Sequence, residues 1–234
     1  MLMIAHRGAS GYAPENTMAA FRLALDMGAK AVELDVHQTR DHELVVIHDE
    51  DLKRVGKKKL RVRDLTYKEL CTVDVGSWFD EDFAEERVPR LTDVCDLIEG
   101  KAELHLEIKK GSKLYGGIEE RIVDLIQRRK AWSTTLVSSF DHAALYSVRS
   151  LDERVRIGYL LGMTGMKTAL REMAELKAES LNFSTRQIDA RWIRECRMRG
   201  LRTLVYTVNT RKELQRVDRL GADGVFANFP ELTV

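Results

Sequence analysis

The stretch Glu33-Leu34-Asp35-Val36-His37 decides the fold. Successive side chains of a strand point to opposite faces, so Glu33 and Asp35 share one face and the apolar residues between them share the other. Two carboxylates on an inner face are costly to bury unless a cation lies between them. We therefore expect a hard divalent metal, Mg²⁺ or Ca²⁺, at Glu33 and Asp35.

Two histidines close short apolar runs on either side of this stretch. His6 follows Leu2-Met3-Ile4-Ala5, and His48 follows Leu44-Val45-Val46-Ile47. This position predicts that both imidazoles lie at the C-terminal ends of strands, where α/β proteins build their active sites. His37 is expected to support the site rather than to bind the metal or the substrate.

A second polar strand face follows at residues 103–109, where apolar and polar residues alternate strictly. Leu104, Leu106 and Ile108 are expected to face helices, so the inner face carries the four polar residues Glu103, His105, Glu107 and Lys109. Such a face is costly unless it serves a site. We expect Glu107, near the strand end, to be a third metal ligand, and His105 to orient a carboxylate.

Strand and helix patterns alternate along the rest of the chain, with a helix expected over 115–129, for example. Eight barrel strands are predicted to end at His6, Asp35, Glu107, Ser139, Leu161, Phe183, Val208 and Ala227. Eight parallel strands that alternate with helices predict a (β/α)₈ TIM barrel, as one catalytic domain over 1–234. The charged, irregular stretch 50–90 is predicted to be a small insertion after the second strand that caps the active-site mouth.

Only seven residues follow Ala227, so a short or missing final helix is expected. Either a turn or a neighbouring subunit then covers that seam, and the second alternative predicts a homo-oligomer.

Composition excludes several classes of protein. With 38 basic and 37 acidic residues, the chain has no charge excess for binding nucleic acid. No segment approaches a membrane-spanning length of apolar residues, so no stable membrane insertion is expected. The cysteines form no CxxC pair, which argues against a disulfide framework or a zinc site. We therefore expect a cytoplasmic protein.

The motifs that carry this chemistry resemble those of the glycerophosphodiester phosphodiesterases. The similar stretches run in order along the whole chain: AHRGASGYAPENTMAAF (5–21), GAKAVELDVHQTRDHELVVIHDEDLKR (28–54), DLTYKEL (64–70), GSWFDEDFAEERVPRL (76–91), LEIK (106–109), SSFD (138–141), VYTVN (205–209) and GADGVFANFP (221–230). The resemblance implies a TIM barrel with an insertion after the second strand, in agreement with the strand pattern.

Carried over residue by residue, the resemblance implies a role for each polar residue of the site. It implies that a divalent cation is held by Glu33, Asp35 and Glu107, and that His6 and His48 are the acid–base pair. Of the two histidines, we favour His6 as the base. It also implies that the phosphate is bound by Arg7 and Lys109. Tyr206 replaces a tryptophan common in the family and keeps an aromatic wall for the substrate, and Ala227 replaces a threonine.

The implied reaction is hydrolysis of a glycerophosphodiester to glycerol 3-phosphate and an alcohol. The attack is expected in line, by water or by a glycerol hydroxyl through a cyclic phosphate. One alternative is a related phospholipase D-type barrel that acts on lysophospholipids. Another is a catalytically silent barrel used for binding, which the full set of polar residues disfavours.

Overall fold

Eight parallel strands close into a barrel in the computed structural model, which describes residues 1–233. The strands are β1 (Leu2–His6), β2 (Ala31–Gln38), β3 (Leu44–Val46), β4 (Glu103–Ile108), β5 (Thr135–Ser139), β6 (Arg156–Leu160), β7 (Ser180–Ser184), β8 (Arg202–Tyr206) and β9 (Gly224–Ala227). All except β3 belong to the barrel, and β1 closes it by pairing with both β2 and β9. The predicted TIM barrel is confirmed.

Helices connect the barrel strands on the outside. They are α1 (Met18–Asp26), α2 (Lys53–Gly56), α3 (Tyr67–Leu70), α4 (Leu91–Ile98), α5 (Ile118–Arg129), α6 (His142–Leu151), α7 (Met166–Glu175), α8 (Ala190–Arg197) and α9 (Arg211–Leu220). Among the residues up to 233, no helix follows β9, as expected. A turn covers that seam instead: the carbonyl of Asn228 accepts from the Gly11 amide at 2.9 Å, and the ring of Phe229 packs on Tyr12.

The alternation on β2 places its residues as the sequence predicts. Val32, Leu34 and Val36 are fully buried in the cluster between strands and helices, while Glu33 and Asp35 face the barrel interior. Burying an aliphatic side chain of this size contributes roughly 1.5–3 kcal/mol, so the apolar face fixes the register of the strand. The carboxylates point inward because the apolar neighbours point outward.

The strand that precedes His48 is not one of the eight barrel strands. β3 pairs antiparallel with β2, so His48 does not end a parallel barrel strand. Only five residues, 39–43, separate β2 from β3, too few for the crossover that a parallel neighbour needs. β2 extends beyond the barrel, turns at His42 with φ +67°, and β3 brings the chain back, so that the Ile47 amide donates to the Asp35 carbonyl at 3.0 Å. His48 therefore reaches the mouth on a returning strand.

The 50–90 segment folds around a small hydrophobic cluster of its own. It contains α2, α3 and two short 3₁₀ helices at Val62–Asp64 and Glu81–Phe83. Its cluster, shared with β3 and Ile47, comprises Val45, Ile47, Leu52, Val55, Val62, Leu70, Val73, Val75 and Val88. The helices described in residues 1–233 all fall short of the length and apolarity that a membrane crossing requires.

Candidate active site

Three carboxylates meet at the C-terminal mouth of the barrel. β2 carries Glu33 and Asp35, and β4 carries Glu107 directly beside Asp35 in the parallel register. One oxygen atom from each of the three lies within 4.8 Å of the others, and all three side chains are buried. The period of two on each strand predicts this convergence.

The crowding of like charges changes how easily each acid ionises. Burial and the charge of Asp35 raise the pKa of Glu33 well above its usual value. The same two causes raise the pKa of Glu107 to about 7. Burial acts in the same sense on Asp35, but Lys109 and Arg7 outweigh it and hold the pKa of that carboxyl below its usual range.

This group of acids fits a divalent cation. Oxygen ligands from carboxylates are those that Mg²⁺ and Ca²⁺ take, and three of them lie close enough here to share one ion. The Oδ1 atom of Asp35 is buried and accepts no hydrogen bond from any residue among 1–233, although the Lys109 ammonium is 3.2 Å away. A buried carboxylate oxygen without a hydrogen bond is costly, and a cation would remove that cost.

Two basic side chains border the acids. The Lys109 ammonium lies 2.8 Å from Glu107 Oε1, because Lys109 follows Glu107 by two positions and shares its face. Arg7 directly follows β1, with its Nε 3.2 Å from Asp35 Oδ2 and its Nη1 donating to Glu15 Oε1 at 2.9 Å. Both cations are therefore at the mouth, as the resemblance implies.

His6 is held by a residue from the other end of the chain. Its Nδ1 lies 2.8 Å from Oδ1 of Asn228, just after β9. An amide oxygen only accepts, so Nδ1 carries the hydrogen and Nε2 remains available, 4.0 Å from Glu33 Oε2. Burial and the nearby Arg7 lower the pKa of His6 to about 4.

His48 has a similar arrangement. Its Nδ1 lies 2.6 Å from Asp49 Oδ1, and an ionised carboxylate only accepts, so Nε2 again remains available. Burial lowers the pKa of His48. His37 bonds protein groups with both ring nitrogens, the Tyr115 hydroxyl at 2.7 Å and the His48 carbonyl at 3.0 Å, so it supports the backbone of His48.

Aromatic side chains form the wall opposite the acids. The rings of Tyr206 and Phe140 meet edge to face at 6.1 Å, and the ring of Phe226 lies 6.4 Å from Tyr206. They enclose a cavity of about 180 Å³ whose lining is His6, Arg7, Glu33, His48, Glu107, Lys109, Ser138, Phe140, Leu160, Tyr206, Thr207 and Phe226. Seven of the eight predicted site residues line this one cavity, and Asp35 contacts two of them.

Some residues of this site have little signal in the sequence. Asn228 is 222 residues from His6, and its only signal is its place just past a barrel strand. Asn16 donates to Asp35 Oδ2 at 2.8 Å, and its place just before α1 fits either a hydrogen-bonding residue or one at the start of a helix. His105, expected to orient a carboxylate, is the neighbour of Glu33 in the register of β2 and β4, but it does not line the mouth cavity, and its Nε2 lies 3.5 Å from Glu103 Oε1.

The barrel and its mouth define a class of protein. Acids suited to a cation, two histidines with a free ring nitrogen and two basic side chains in one cavity are the equipment of a TIM-barrel hydrolase that cleaves phosphate esters. The family model of the glycerophosphoryl diester phosphodiesterase family matches residues 6–232, and the chain belongs to that family of phosphoric diester hydrolases.

Two known relatives are similar in sequence over nearly the whole chain. A glycerophosphodiester phosphodiesterase of Caldanaerobacter subterraneus subsp. tengcongensis is 37% identical over 234 residues, which cover 100% of this chain and 96% of that protein. A glycerophosphodiester phosphodiesterase of Bacillus subtilis is 32% identical over 249 residues, with 99% of this chain and 85% of that protein covered.

Solved structures also resemble the chain. A phosphodiesterase of Oleispira antarctica, in complex with the product sn-glycerol-3-phosphate, superimposes with a TM-score of 0.90 at 27% identity, covering 98% of this chain and 94% of that one. A glycerophosphodiester phosphodiesterase of Agrobacterium tumefaciens has a TM-score of 0.85 at 28% identity, with 99% and 97% covered.

Proposed function

We propose that this protein hydrolyses glycerophosphodiesters to glycerol 3-phosphate and an alcohol, with a divalent cation at the mouth. The observation that carries the proposal is the meeting of Glu33, Asp35 and Glu107 within 4.8 Å, beside a cavity that two of these acids line together with two histidines. The product bound to the Oleispira antarctica neighbour supports the choice of substrate class.

Glu33, Asp35 and Glu107 are the residues that would hold the cation. When bound, Mg²⁺ or Ca²⁺ would stabilise the negative charge that develops on the phosphoryl oxygens. Their buried position serves this role, because electrostatic interactions are stronger where water is excluded.

Arg7 and Lys109 bind the phosphate in this proposal. The guanidinium is a planar fork that matches two phosphate oxygens, whereas the ammonium acts as a point charge. Both side chains are at least four-fifths buried by their surroundings, at 18% and 16% exposure, so neither needs to move far to meet a substrate.

His6 and His48 move the two protons that hydrolysis requires. One proton leaves the nucleophile and one reaches the departing alkoxide. Each ring uses Nδ1 to bond Asn228 or Asp49, which fixes its orientation and leaves Nε2 for substrate. We assign the base to His6, whose Nε2 is the ring nitrogen beside the acids. The nucleophile is water or a glycerol hydroxyl, and a cyclic phosphate intermediate distinguishes the second route.

The aromatic wall and the 50–90 segment shape the rest of the mouth. We propose that Tyr206 packs against the carbon skeleton of the substrate, with Phe140 at its edge. The 50–90 segment would border the mouth from the side of His48. The homo-oligomer stays a prediction, which light scattering at high protein concentration tests.

The central experiment measures glycerol 3-phosphate released from glycerophosphocholine. We expect release by the untreated protein, loss with EDTA, and recovery on adding Mg²⁺ or Ca²⁺. At 100 times its Kd the cation should add about 2.7 kcal/mol to the free energy of unfolding and so raise the Tm of the protein, and it should raise the Tm of Glu107→Gln much less. A panel of head groups then defines the preferred alcohol. Release no greater than that of Glu107→Gln would refute the proposal.

A further inference from the structure

Arg54, on α2, joins two carboxylates from different parts of the mouth. Its Nε donates to Asp49 Oδ2 at 2.7 Å. Its Nη1 and Nη2 donate to Glu15 Oε2 and Oε1 at 2.7 and 2.9 Å. One guanidinium therefore connects the 50–90 side of the mouth to the loop between β1 and α1.

Each of these carboxylates also holds a residue of the reaction. The other oxygen of Asp49 accepts from Nδ1 of His48 at 2.6 Å. Glu15 Oε1 accepts from Nη1 of Arg7 at 2.9 Å. An unbroken line of hydrogen bonds thus runs from the proton-transfer side chain to the phosphate-binding one, with Arg54 at its centre.

We propose that Arg54 is a positioning residue that sets His48 and Arg7 together. It acts on the imidazole through Asp49 and on the guanidinium through Glu15. This inference rests on the proposed function, because it takes the roles of His48 and Arg7 from it. Arg54 itself is not among the residues that line the cavity, so it is a positioning residue rather than a catalytic one.

Stability alone is a weak reason for this arrangement. The side chain of Arg54 is 41% exposed, and ion pairs with an exposed partner contribute little to stability. The geometry is more demanding than the energy: only a planar fork with several donors bonds two carboxylates at once, and a lysine ammonium cannot reproduce it. The ring of Trp78, 5.8 Å from the guanidinium carbon, helps to hold that fork in place.

The test compares Arg54→Ala and Arg54→Lys with Lys53→Ala, a variant of the adjacent residue on α2. Lys53 pairs with Asp51, outside the line of hydrogen bonds, so its loss controls for damage to the helix. For Arg54→Ala we expect kcat/KM to fall about tenfold to 100-fold. Arg54→Lys should recover part of that loss, and Lys53→Ala should match the wild type.

The split between kcat and KM separates positioning from mere destabilisation. A destabilised 50–90 segment would reduce the fraction of active molecules, which lowers the apparent kcat and leaves KM unchanged. Loss of positioning should lower kcat through His48 and also raise KM through Arg7. The KM increase should be absent when Arg54→Ala is added to Glu15→Gln, since both changes break the same link.

A second readout does not depend on activity. In protein labelled with ¹⁵N-histidine, the His48 signals, assigned by their loss in His48→Ala, should shift in Arg54→Ala and stay in place in Lys53→Ala. Unchanged His48 signals together with wild-type kinetics for Arg54→Ala would overturn the inference. A wild type that releases no glycerol 3-phosphate, but whose His48 signals move in Arg54→Ala, would overturn the proposed function and keep the positioning by Arg54.

Discussion

The two ends of β4 carry glutamates in opposite electrostatic situations. Glu103 lies at the floor of the barrel, with Oε1 2.8 Å from Nη1 of Arg156, and His105 and Arg156 lower its pKa to about 2. Glu107 lies at the mouth, where burial and Asp35 raise its pKa to about 7. The strand, the face and the residue type are the same, so the difference in pKa comes from burial and from the charged neighbours.

The neighbours at the floor are balanced in charge, and those at the mouth are not. At the floor, Arg156 also bonds Glu179 at 2.9 Å, and Arg202 lies 3.3 Å from the same carboxylate. At the mouth, the three acids have Lys109 and Arg7 as their basic neighbours, and Arg7 is also bound to Glu15. Matched charges at the floor of a TIM barrel stabilise it, whereas an uncompensated cluster at the C-terminal face is typical of a functional site.

The largest difference in activity is expected between substitutions of the histidines at the mouth and of the histidine at the floor. His6→Ala and His48→Ala should each lower kcat by about 10²- to 10⁴-fold, because each removes a proton-transfer group. His105→Ala, at the floor, should change the rate of the folded protein by about twofold at most, because it contacts Glu103 rather than the mouth. Steady-state release of glycerol 3-phosphate measures all three. A loss below tenfold for either mouth histidine would remove it from the mechanism.

A smaller difference is expected for the glutamates of β4. Glu107→Gln should lower kcat by about 10²- to 10³-fold, with little loss of stability because it relieves the repulsion from Asp35. Glu103→Gln should keep its activity but lose about 1–3 kcal/mol of unfolding free energy, because Arg156 and His105 lose a charged partner. Urea unfolding and kinetics on both variants provide the comparison. Equal effects on activity would mean that the two ends do not differ in function.

Lowering the pH should remove the stability that Glu103 contributes at the floor of the barrel. The folded pKa of Glu103, about 2, is below its ordinary value of 4.5, so its contribution to stability is complete above about pH 4.5 and is lost as the pH falls toward 2. Between these values the urea midpoint of the wild type should fall more steeply than that of Glu103→Gln. The same change at the exposed helix residue Asp124, as Asp124→Asn, is the control. Parallel curves for wild type and Glu103→Gln would contradict the assignment.

The smallest effect is expected at the mouth end of β8. Tyr206 contributes a ring to the aromatic wall, and within residues 1–233 its hydroxyl makes only a long hydrogen bond, 3.5 Å, to the Leu161 carbonyl. Tyr206→Phe should therefore leave KM within about twofold, whereas Tyr206→Ala should raise it about tenfold through lost packing. A larger loss for the phenylalanine variant would show that the hydroxyl, rather than the ring, contacts the substrate.

The fold and the acids were predictable because they follow from local patterns. A period of two fixes which residues of β2 and β4 face inward, and parallel pairing brings the strand ends together. The helix expected over 115–129 begins only at Ile118, because Gly117 adopts φ +76° and Tyr115 turns inward to bond His37. Boundaries of this kind depend on contacts that periodicity does not contain.

The supporting contacts of the site were less predictable. The bond between His6 and Asn228 spans 222 residues, and that between Arg54 and Glu15 spans 39. Such pairs follow from how the barrel closes and how the 50–90 segment packs, and neither leaves a spacing signal in the sequence. The direction of β3 was a different case: the short turn at 39–43 already required an antiparallel return.

Because the 50–90 segment has its own hydrophobic cluster, the residues of the site depend on two separate cores, that of the barrel and that of the segment. The three carboxylates belong to barrel strands. His48 instead follows β3 and Ile47, which pack in the cluster of the 50–90 segment. Local opening of that cluster would displace His48 and leave the barrel with the three acids and with His6 as the one proton-transfer residue. Local opening would therefore inactivate the protein reversibly at a much smaller cost in free energy than global unfolding.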